Sequence, residues 1–490
     1  MSRCDTARRK LDILYTIPVV FLPVKKPPLR VVTMRALPVL TNLAALAACS
    51  AAAAISSRQS AGSATVDVSQ TTGEAAFLGS GFIYGFPDNG QNADNSIPDH
   101  FLTDIKFRTC RAGGAQIAAS GWAIGGEDGY RGRFDSTLSN YRTTRKYNAD
   151  FILLPHDIWG SQGGSSADFP FPGDNGDWSG METFIRRLIS DVRANNMLDG
   201  LVFDLWNEPD LEGFWNRPWS QYVEYYVRAS QLLRNEMPEA KVSGPSSAHS
   251  PSQDSANWRA WMQAVAQGNV APDIYSWHQI GAWEREPDTT VPALRALLAE
   301  YGLPERPIDV NEYAWPDEQN PANSAYYLAQ LERHNIRGLR ANWEGGENLH
   351  NYLGNLVAKN DQGYYPNGEW QLYKYYANMV GERVLTAASS DLKFDAFAVL
   401  SNGYLKILAG TRTVQNRYDI VLKGLAELRL PAQGTLEIHR YQFDWGGAQG
   451  LVYDALDLGS FTYNYSAGEL TIPHDPPTLA TAFAYEIKLT

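Results

Sequence analysis

Leu201-Val202-Phe203-Asp204-Leu205-Trp206-Asn207-Glu208-Pro209 is a short apolar run that stops at an amide, a carboxylate and a proline. A run of four to six apolar residues closed by a turn signal reads as a fully buried strand, and Pro209 cannot continue it. Runs of the same kind recur upstream at residues 151–155 and downstream at 241–244, 273–278, 308–312 and 338–343. Between them, residues 181–195, 219–237, 254–267, 291–301 and 324–335 carry apolar side chains at helical spacing. Strand–helix alternation in units of about 35 residues predicts a parallel α/β architecture. Counting backward makes 151–155 the third strand, 79–85 the first and 115–119 the second. Eight units result, a (β/α)8 TIM barrel over residues 74–382. An open doubly wound sheet is the competing arrangement, but Gly79-Ser80-Gly81 lacks the rest of a dinucleotide-binding turn.

After about residue 383 the helical spacing disappears. Short, partly alternating runs at 394–408, 418–423, 435–442 and 461–472, punctuated by turns such as Ser401-Asn402-Gly403, predict a C-terminal antiparallel β-sandwich over 383–490. Residues 65–71 also alternate and are expected to add a strand to that sandwich. The Gly-, Ser- and Asp-rich stretch 160–180 is too long for a plain connection and reads as filler or as a loop bordering the active site.

The chain has 490 residues, 44% hydrophobic and 20% charged, the balance of a soluble globular protein. A net charge of −12 argues against a general phosphate-backbone binder. The 14 Trp and 26 Tyr suit either a well-filled core or a cleft paved with flat faces for sugar rings. Residues 36–54 form an apolar run ending in small residues after Met34-Arg35, the pattern of a secretory signal peptide cut near residues 54–58. Residues 1–56 are therefore expected to be a leader. A membrane anchor is the alternative, although the run 11–24 is short for a span and contains Asp12 and two prolines. The expected mature protein is secreted and extracellular, with 34 basic against 52 acidic residues and no membrane or nucleic-acid partner. Cys110 is the one cysteine outside the leader, which excludes an intramolecular disulfide. Asn464-Tyr465-Ser466 is a glycosylation sequon.

Two motifs carry chemistry: Asp204 to Pro209 at the end of the fourth barrel strand, and Asp309-Val310-Asn311-Glu312-Tyr313 at the end of the seventh. Glu208 and Glu312 are 104 residues apart, the length of three such units. Both therefore arrive at the C-terminal mouth of the barrel, where catalytic side chains sit. Facing carboxylates suit glycosidic bond cleavage, in which one delivers a proton and the other attacks the anomeric carbon or activates water. Asn207 can donate its amide to a sugar hydroxyl.

This pattern resembles clan A of the glycoside hydrolases. Within the clan, the trailing sandwich and the stretch from Gly363-Tyr364-Tyr365-Pro366 to Tyr376-Ala377-Asn378-Met379 are most similar to family 39, the β-xylosidase and α-L-iduronidase group. The resemblance implies a retaining double displacement on plant cell-wall type saccharides, with Glu208 as acid/base and Glu312 as nucleophile. It implies His278 beside the nucleophile, bonded to Glu312 or to a sugar hydroxyl, and Trp343 as the platform under the reacting sugar. His156 and Trp159, ending the third strand, are further candidates to line the cleft. Some of Trp215, Trp219, Trp283 and Trp315 are candidate sugar platforms, the rest packing residues. Glu284, Glu344 and Glu347 are competing carboxylates, with Glu344 the most serious, ranked below Glu312 because of Gly345-Gly346 beside it.

No metal or cofactor is expected: the eight His are scattered, and HExxH, CxxC and GxSxG are all missing from the sequence. The expected partner is an oligo- or polysaccharide. A non-catalytic carbohydrate-binding protein on a degenerate barrel and an endo-acting β-glycanase of the same clan are the alternatives. The sequence assigns no oligomeric state.

Overall fold

The computed structural model describes residues 59–281, 285–342 and 346–489, with the backbone alone at 346 and 347. Strand β1 (Ser63–Glu74) comes first. Strands β2 (Gly81–Ile83), β3 (Thr109–Ala112), β4 (Asp150–Leu153), β5 (Leu201–Asp204), β6 (Lys241–Ser247), β7 (Ile274–Gln279), β8 (Ile308–Tyr313) and β9 (Arg337–Arg340) then close into a parallel barrel, with β9 pairing back onto β2. Helices α1 (His100–Thr103) and α2 (Trp122–Arg145) follow β2 and β3, and α3 (Pro155–Trp159) and α4 (Ser179–Ala194) follow β4. Helices α5 (Trp219–Glu236), α6 (Ala256–Gln267), α7 (Pro287–Tyr301) and α8 (Pro321–His334) follow β5 to β8 in turn. A hairpin of β10 (Val357–Asn360) and β11 (Gly363–Pro366) leads into α9 (Gly368–Ala377).

The barrel strands are three to seven residues long and almost wholly buried, because side chains meet the packed interior on one face and the helices on the other. The second strand lies at Thr109–Ala112, ahead of the expected 115–119. Residues 115–119 form the connection to α2, with Gln116 and Ala118 exposed. An inward-pointing Arg111 breaks the apolar character of the true strand, so hydrophobicity pointed to the wrong stretch.

The remaining strands are β12 (Glu382–Ala387), β13 (Phe394–Ser401), β14 (Tyr404–Thr411), β15 (Tyr418–Lys423), β16 (Gln433–Phe443), β17 (Leu456–Ser466), β18 (Leu470–His474) and β19 (Ala482–Lys488). With β1 they form a nine-stranded sheet in the order β17-β16-β19-β14-β13-β12-β1-β15-β18. All its pairings are antiparallel except β1 with β15. Its two edge strands, β17 and β18, are joined by a tight turn bridged at Ser466 and Glu469, so the sheet curls nearly closed.

Strand alternation explains how this sheet docks on the barrel. On β13, Phe394, Ala396 and Ala398 enter the sheet's own core, while Phe397 and Val399 join the barrel core. On β19, Phe483, Tyr485 and Ile487 face inward, and Ala482 and Ala484 face the barrel. Helix α8 lies at this junction and is buried all round from Pro321 to Glu332. Its polar side chains are paired on both sides: Arg333 and Gln330 reach Asp395 of β13 across the junction, Gln330 at 2.6 Å, and Arg333 holds Asp288 of the neighbouring α7 at 2.7 Å. Among the described residues no helix is long and apolar enough to cross a membrane.

Candidate active site

At the end of β5 the chain turns sharply. Trp206 is buried against Trp215, with ring centroids 4.8 Å apart, and its Nε1 donates to the Phe214 carbonyl. Glu208 follows with φ of 44°, a left-handed conformation that costs a glutamate about 1–3 kcal/mol and persists only where the surroundings impose it. Here its N–H donates to the Ser246 carbonyl at 3.0 Å, tying the turn to β6.

Across the mouth, β8 presents Asn311 and Glu312 in succession. Strict alternation would send them to opposite faces. The pairing of β7 with β8 shifts register between Trp277 and His278, so Trp277 opposes Val310 and His278 opposes Glu312. Such an irregularity re-aims side chains. Both residues thus reach the polar interior: Asn311 Nδ2 donates to Asp204 and to Ser246 Oγ, and Glu312 accepts from Arg111.

Arg111, on β3, organises the floor of the site. Its Nε donates to Asp204 at 2.7 Å, its Nη1 to Glu312 Oε1 at 2.8 Å and its Nη2 to Asn207 Oδ1 at 2.9 Å. A guanidinium can only donate, so Asn207 must turn its oxygen toward it, and the amide's donor end is left for a ligand. Asp204 also accepts from Ser246 Oγ, which contacts Ser276 Oγ at 2.8 Å. This buried network is paired throughout at Asp204, the arrangement that makes a polar interior rigid.

Glu208 and Glu312 are brought together. One oxygen from each and a His278 ring nitrogen lie within 4.8 Å of one another. Their side chains are 13% and 10% exposed, so solvent still reaches both. His278 Nδ1 is 2.8 Å from Glu208 Oε1 and 3.7 Å from Glu312 Oε2. Its hydrogen bond therefore goes to Glu208, where Glu312 or a sugar hydroxyl was expected, because the β7–β8 register places its ring between the two carboxylates. Burial pushes the Glu312 carboxyl above the usual range and the Glu208 charge adds to the push, while His278 and Arg111 oppose both. The three groups have metal-ligand spacing, but the guanidinium on Glu312 opposes a second cation there.

The pair opens into a cavity of about 500 Å³ that Asn207 and His156 also line, together with Tyr84, Asp157, Gln162 and Phe214. Gln162 belongs to the long 160–180 stretch, so that loop borders the site. Its fold is pinned by Arg217, which holds Asp174 and the Phe169 carbonyl, and by Phe171 packed on Trp215. Trp159 does not line the cavity. Its Nε1 donates to the Pro170 carbonyl and its ring packs edge-on against Phe184, so it supports the loop instead. Trp215 and Trp219 are likewise packing residues, and Trp315 is 42% exposed. Trp343, Glu344, Trp283 and Glu284 lie outside the described residues, as does the side chain of Glu347.

A second depression, of about 570 Å³, lies at the opposite end of the barrel, lined by Lys106, Arg108, Asp150, Asp309 and Arg337. Arg337 holds both of its carboxylates, at 2.6–2.8 Å, and it occupies the end that serves stability in this architecture. Sequence reasoning missed Arg111, Tyr84, Asp157 and Gln162. For Arg111 the available signal was a lone cation in a run closed by Gly113-Gly114; for the others there was none.

Residues 156–292 match the sequence model of Glycosyl hydrolases family 39. A curated relative, the 3-O-alpha-D-galactosyl-alpha-L-arabinofuranosidase of Bifidobacterium longum subsp. longum, is 24% identical over 371 residues. That match covers 66% of this chain, and the chain spans 30% of the length of that relative. Among solved structures, one from Neocallimastix frontalis superposes with a TM-score of 0.68 at 20% identity, covering 87% of this chain and 99% of that one. A GH39 enzyme from Xanthomonas axonopodis pv. citri gives 0.54 at 15% identity over 88% and 98%. A monomeric beta-xylosidase from Caulobacter crescentus gives 0.52 at 15% over 87% and 99%. At these identities the structural likeness concerns the fold.

Proposed function

We propose that this chain, a clan A glycoside hydrolase in its barrel and most similar to family 39, cleaves O-glycosidic bonds with retention of configuration. The observation that carries the proposal is the close approach of the two carboxylates at the barrel mouth, where one oxygen of each lies within 4.8 Å of the other. Retaining glycosidases hold their carboxyl groups about 5–5.5 Å apart, whereas inverting ones leave about 6.5–9.5 Å for a water between them.

The roles follow from the surroundings. The nucleophile must act as the anion and the acid must carry the proton, so the surroundings of the two carboxylates decide the roles. Arg111 at 2.8 Å favours the anion on Glu312, the form a nucleophile needs. Glu208, with no guanidinium on it, takes the proton-carrying role. In the first step a Glu312 oxygen bonds to the anomeric carbon, the bond to the leaving oxygen breaks, and Glu208 gives that oxygen its proton. In the second step Glu208 takes a proton from water, whose oxygen bonds to the anomeric carbon and releases Glu312. One water is consumed and two hydroxyl-ended saccharides result. Asn207, its orientation set by Arg111, offers an N–H to a sugar hydroxyl.

Similarity to family 39 favours a β-xyloside-like saccharide of plant cell-wall type as the substrate, and the apolar run at 36–54 favours an exported enzyme acting outside the cell. The test is proton NMR of the first-formed product from an aryl glycoside panel, with a 2-fluoro glycoside of the cleaved sugar as trap. Retained configuration and an adduct on the 309–314 peptide are expected; an inverted product, or an adduct on Glu344, overturns the assignment.

A further inference from the structure

Glu208 must deliver its proton to the oxygen of the sugar that departs, so that sugar lies beside Glu208 and away from Glu312. Among the described residues, the cavity is lined from the ends of β2 to β5, β8 and β9 and the loops after them. Glu208 stands at the β5 end of that arc, next to β6 in the closed barrel. The loops after β5 and β6 therefore border the departing sugar.

Those two loops meet in a pair of side chains that the cleavage chemistry leaves unused. Asp210, two residues past Glu208, has a side chain only 2% exposed. It accepts from the Ala248 and His249 backbone N–H groups at 2.8 and 2.9 Å, and it faces His249 Nδ1 at 2.7 Å. His249 follows β6 by two residues, and its side chain is 68% exposed. A carboxylate oxygen can only accept, so Nδ1 carries the proton between them. The two backbone bonds staple the turn, and Arg285 and Trp258 brace it by donating to the Ala248 and His249 carbonyls. The third bond adds something different: it fixes the orientation of a mostly exposed ring, whose Nε2 is on the side away from Asp210.

The charges around the pair favour a donor at that nitrogen. The hydrogen bond to Asp210 raises the His249 pKa above the ordinary histidine value; the Asp210 and Glu208 charges add to the rise, while burial and Arg285 oppose it. Burial also opposes ionisation of Asp210, but the His249 ring and the two backbone N–H groups outweigh it. A protonated ring offers Nε2–H as a charge-assisted donor. The hydroxyl oxygen of a sugar accepts such a bond, and a simple alkyl aglycone has none to offer. Asp210 also lines a depression of about 440 Å³ with Asn216, Trp219 and Asn257, so the surface beside the pair carries amides and an indole as well.

We propose that His249, oriented by Asp210, is a specificity-determining residue on the leaving-group side, where it hydrogen-bonds a hydroxyl of the departing sugar and so favours saccharides over simple glycosides. This rests on the glycosidase reading above and extends it to the sugar that is released.

The experiment compares a methyl glycoside with a disaccharide carrying the same transferred sugar. Both leaving alcohols are poor and need the acid, but methanol brings no ring hydroxyl. His249→Ala keeps both backbone donors to Asp210 and is checked for native thermal melting. It should lower kcat/KM on the disaccharide by about 10–10²-fold more than on the methyl glycoside, the scale of one hydrogen bond to a charged group. His249→Gln, whose amide donates at any pH, should recover part of that loss. Equal losses on the two substrates would mean that the ring acts through Glu208, and they overturn the inference, as does an unchanged disaccharide rate; retention of configuration stands in either case. If the alanine variant melts early, wild type decides: its disaccharide-to-methyl ratio of kcat/KM should fall as pH rises through the titration of the ring, and a flat ratio overturns the inference. If wild type cleaves no glycoside and traps no 2-fluoro sugar, the glycosidase reading fails and this inference with it.

Discussion

Arg111 Nη1 lies 2.8 Å from Glu312 Oε1 in a buried ion pair that also gathers Asp204 and Asn207 around one guanidinium. A fixed cation at this distance does two things: it favours the carboxylate form of Glu312 against burial, and it fixes the position of that side chain at the barrel mouth.

Replacing Arg111 with Met should therefore act on both rate and pH. Without the cation, burial and the Glu208 charge push the Glu312 carboxyl further up. A nucleophile must be ionised, so the acidic limb of the kcat/KM profile should move to higher pH, and activity at its optimum should fall by about 10²–10³-fold, the scale of lost electrostatic preorganisation. Breaking a buried pair from one side should also destabilise the fold by about 3–5 kcal/mol. A pH–rate series with urea melts checks both. An unmoved acidic limb would show that Arg111 does not act through Glu312.

Glu208→Ala should slow cleavage of natural linkages by about 10²–10⁴-fold, the size of a general-acid contribution. A dinitrophenyl glycoside, whose leaving group departs without a proton, should still form the glycosyl-enzyme and give a burst. Added azide should then restore turnover as a glycosyl azide of retained configuration. Stopped-flow and product NMR decide the matter. Equal loss on both substrates with no rescue would assign the acid/base role elsewhere.

The junction between barrel and sheet should be acid-sensitive. Burial opposes ionisation of Asp288, but His334 at 2.6 Å and Arg333 at 2.7 Å outweigh it and bring its pKa down to about 2. A carboxyl whose folded pKa is below its unfolded value stabilises the fold above about pH 4, and that contribution fades as pH falls toward 2. Asp288→Asn should therefore cost about 2 kcal/mol at pH 7 and markedly less near pH 2.5. Denaturant melts at the two pH values test this; a pH-independent difference would count against it.

Export predicts a defined new N-terminus. Protein recovered from the medium of an expressing culture should begin within residues 51–60, where the apolar run of the leader gives way to small and polar residues. N-terminal sequencing gives the answer, and secreted protein still starting at Met1 would refute it.

What the sequence determined by itself was the architecture and the meeting of Glu208 and Glu312 at the barrel mouth. Four-residue apolar runs such as Leu201–Asp204 are legible because both faces of a barrel strand are buried, and period-2 runs after residue 383 are legible because the sheet splits its faces between two cores. Asn207-Glu208 and Asn311-Glu312 stood out because polar groups ending such runs have few structural reasons to be there. Tertiary structure alone decided the rest. Arg111 reaches Asp204 and Glu312 across 93 and 201 residues. The register shift beside His278 turns Glu312 inward. The start of α3 packs closely only because Gly113, just past β3, carries no Cβ, which would stand 2.3 Å from the Leu154 carbonyl oxygen and 2.7 Å from Asp157 Cβ. Local periodicity reports which face of an element is buried. It carries no information about which side chains meet when the barrel closes, since those pairings depend on register, strand bulges and the space left by residues far away in the chain.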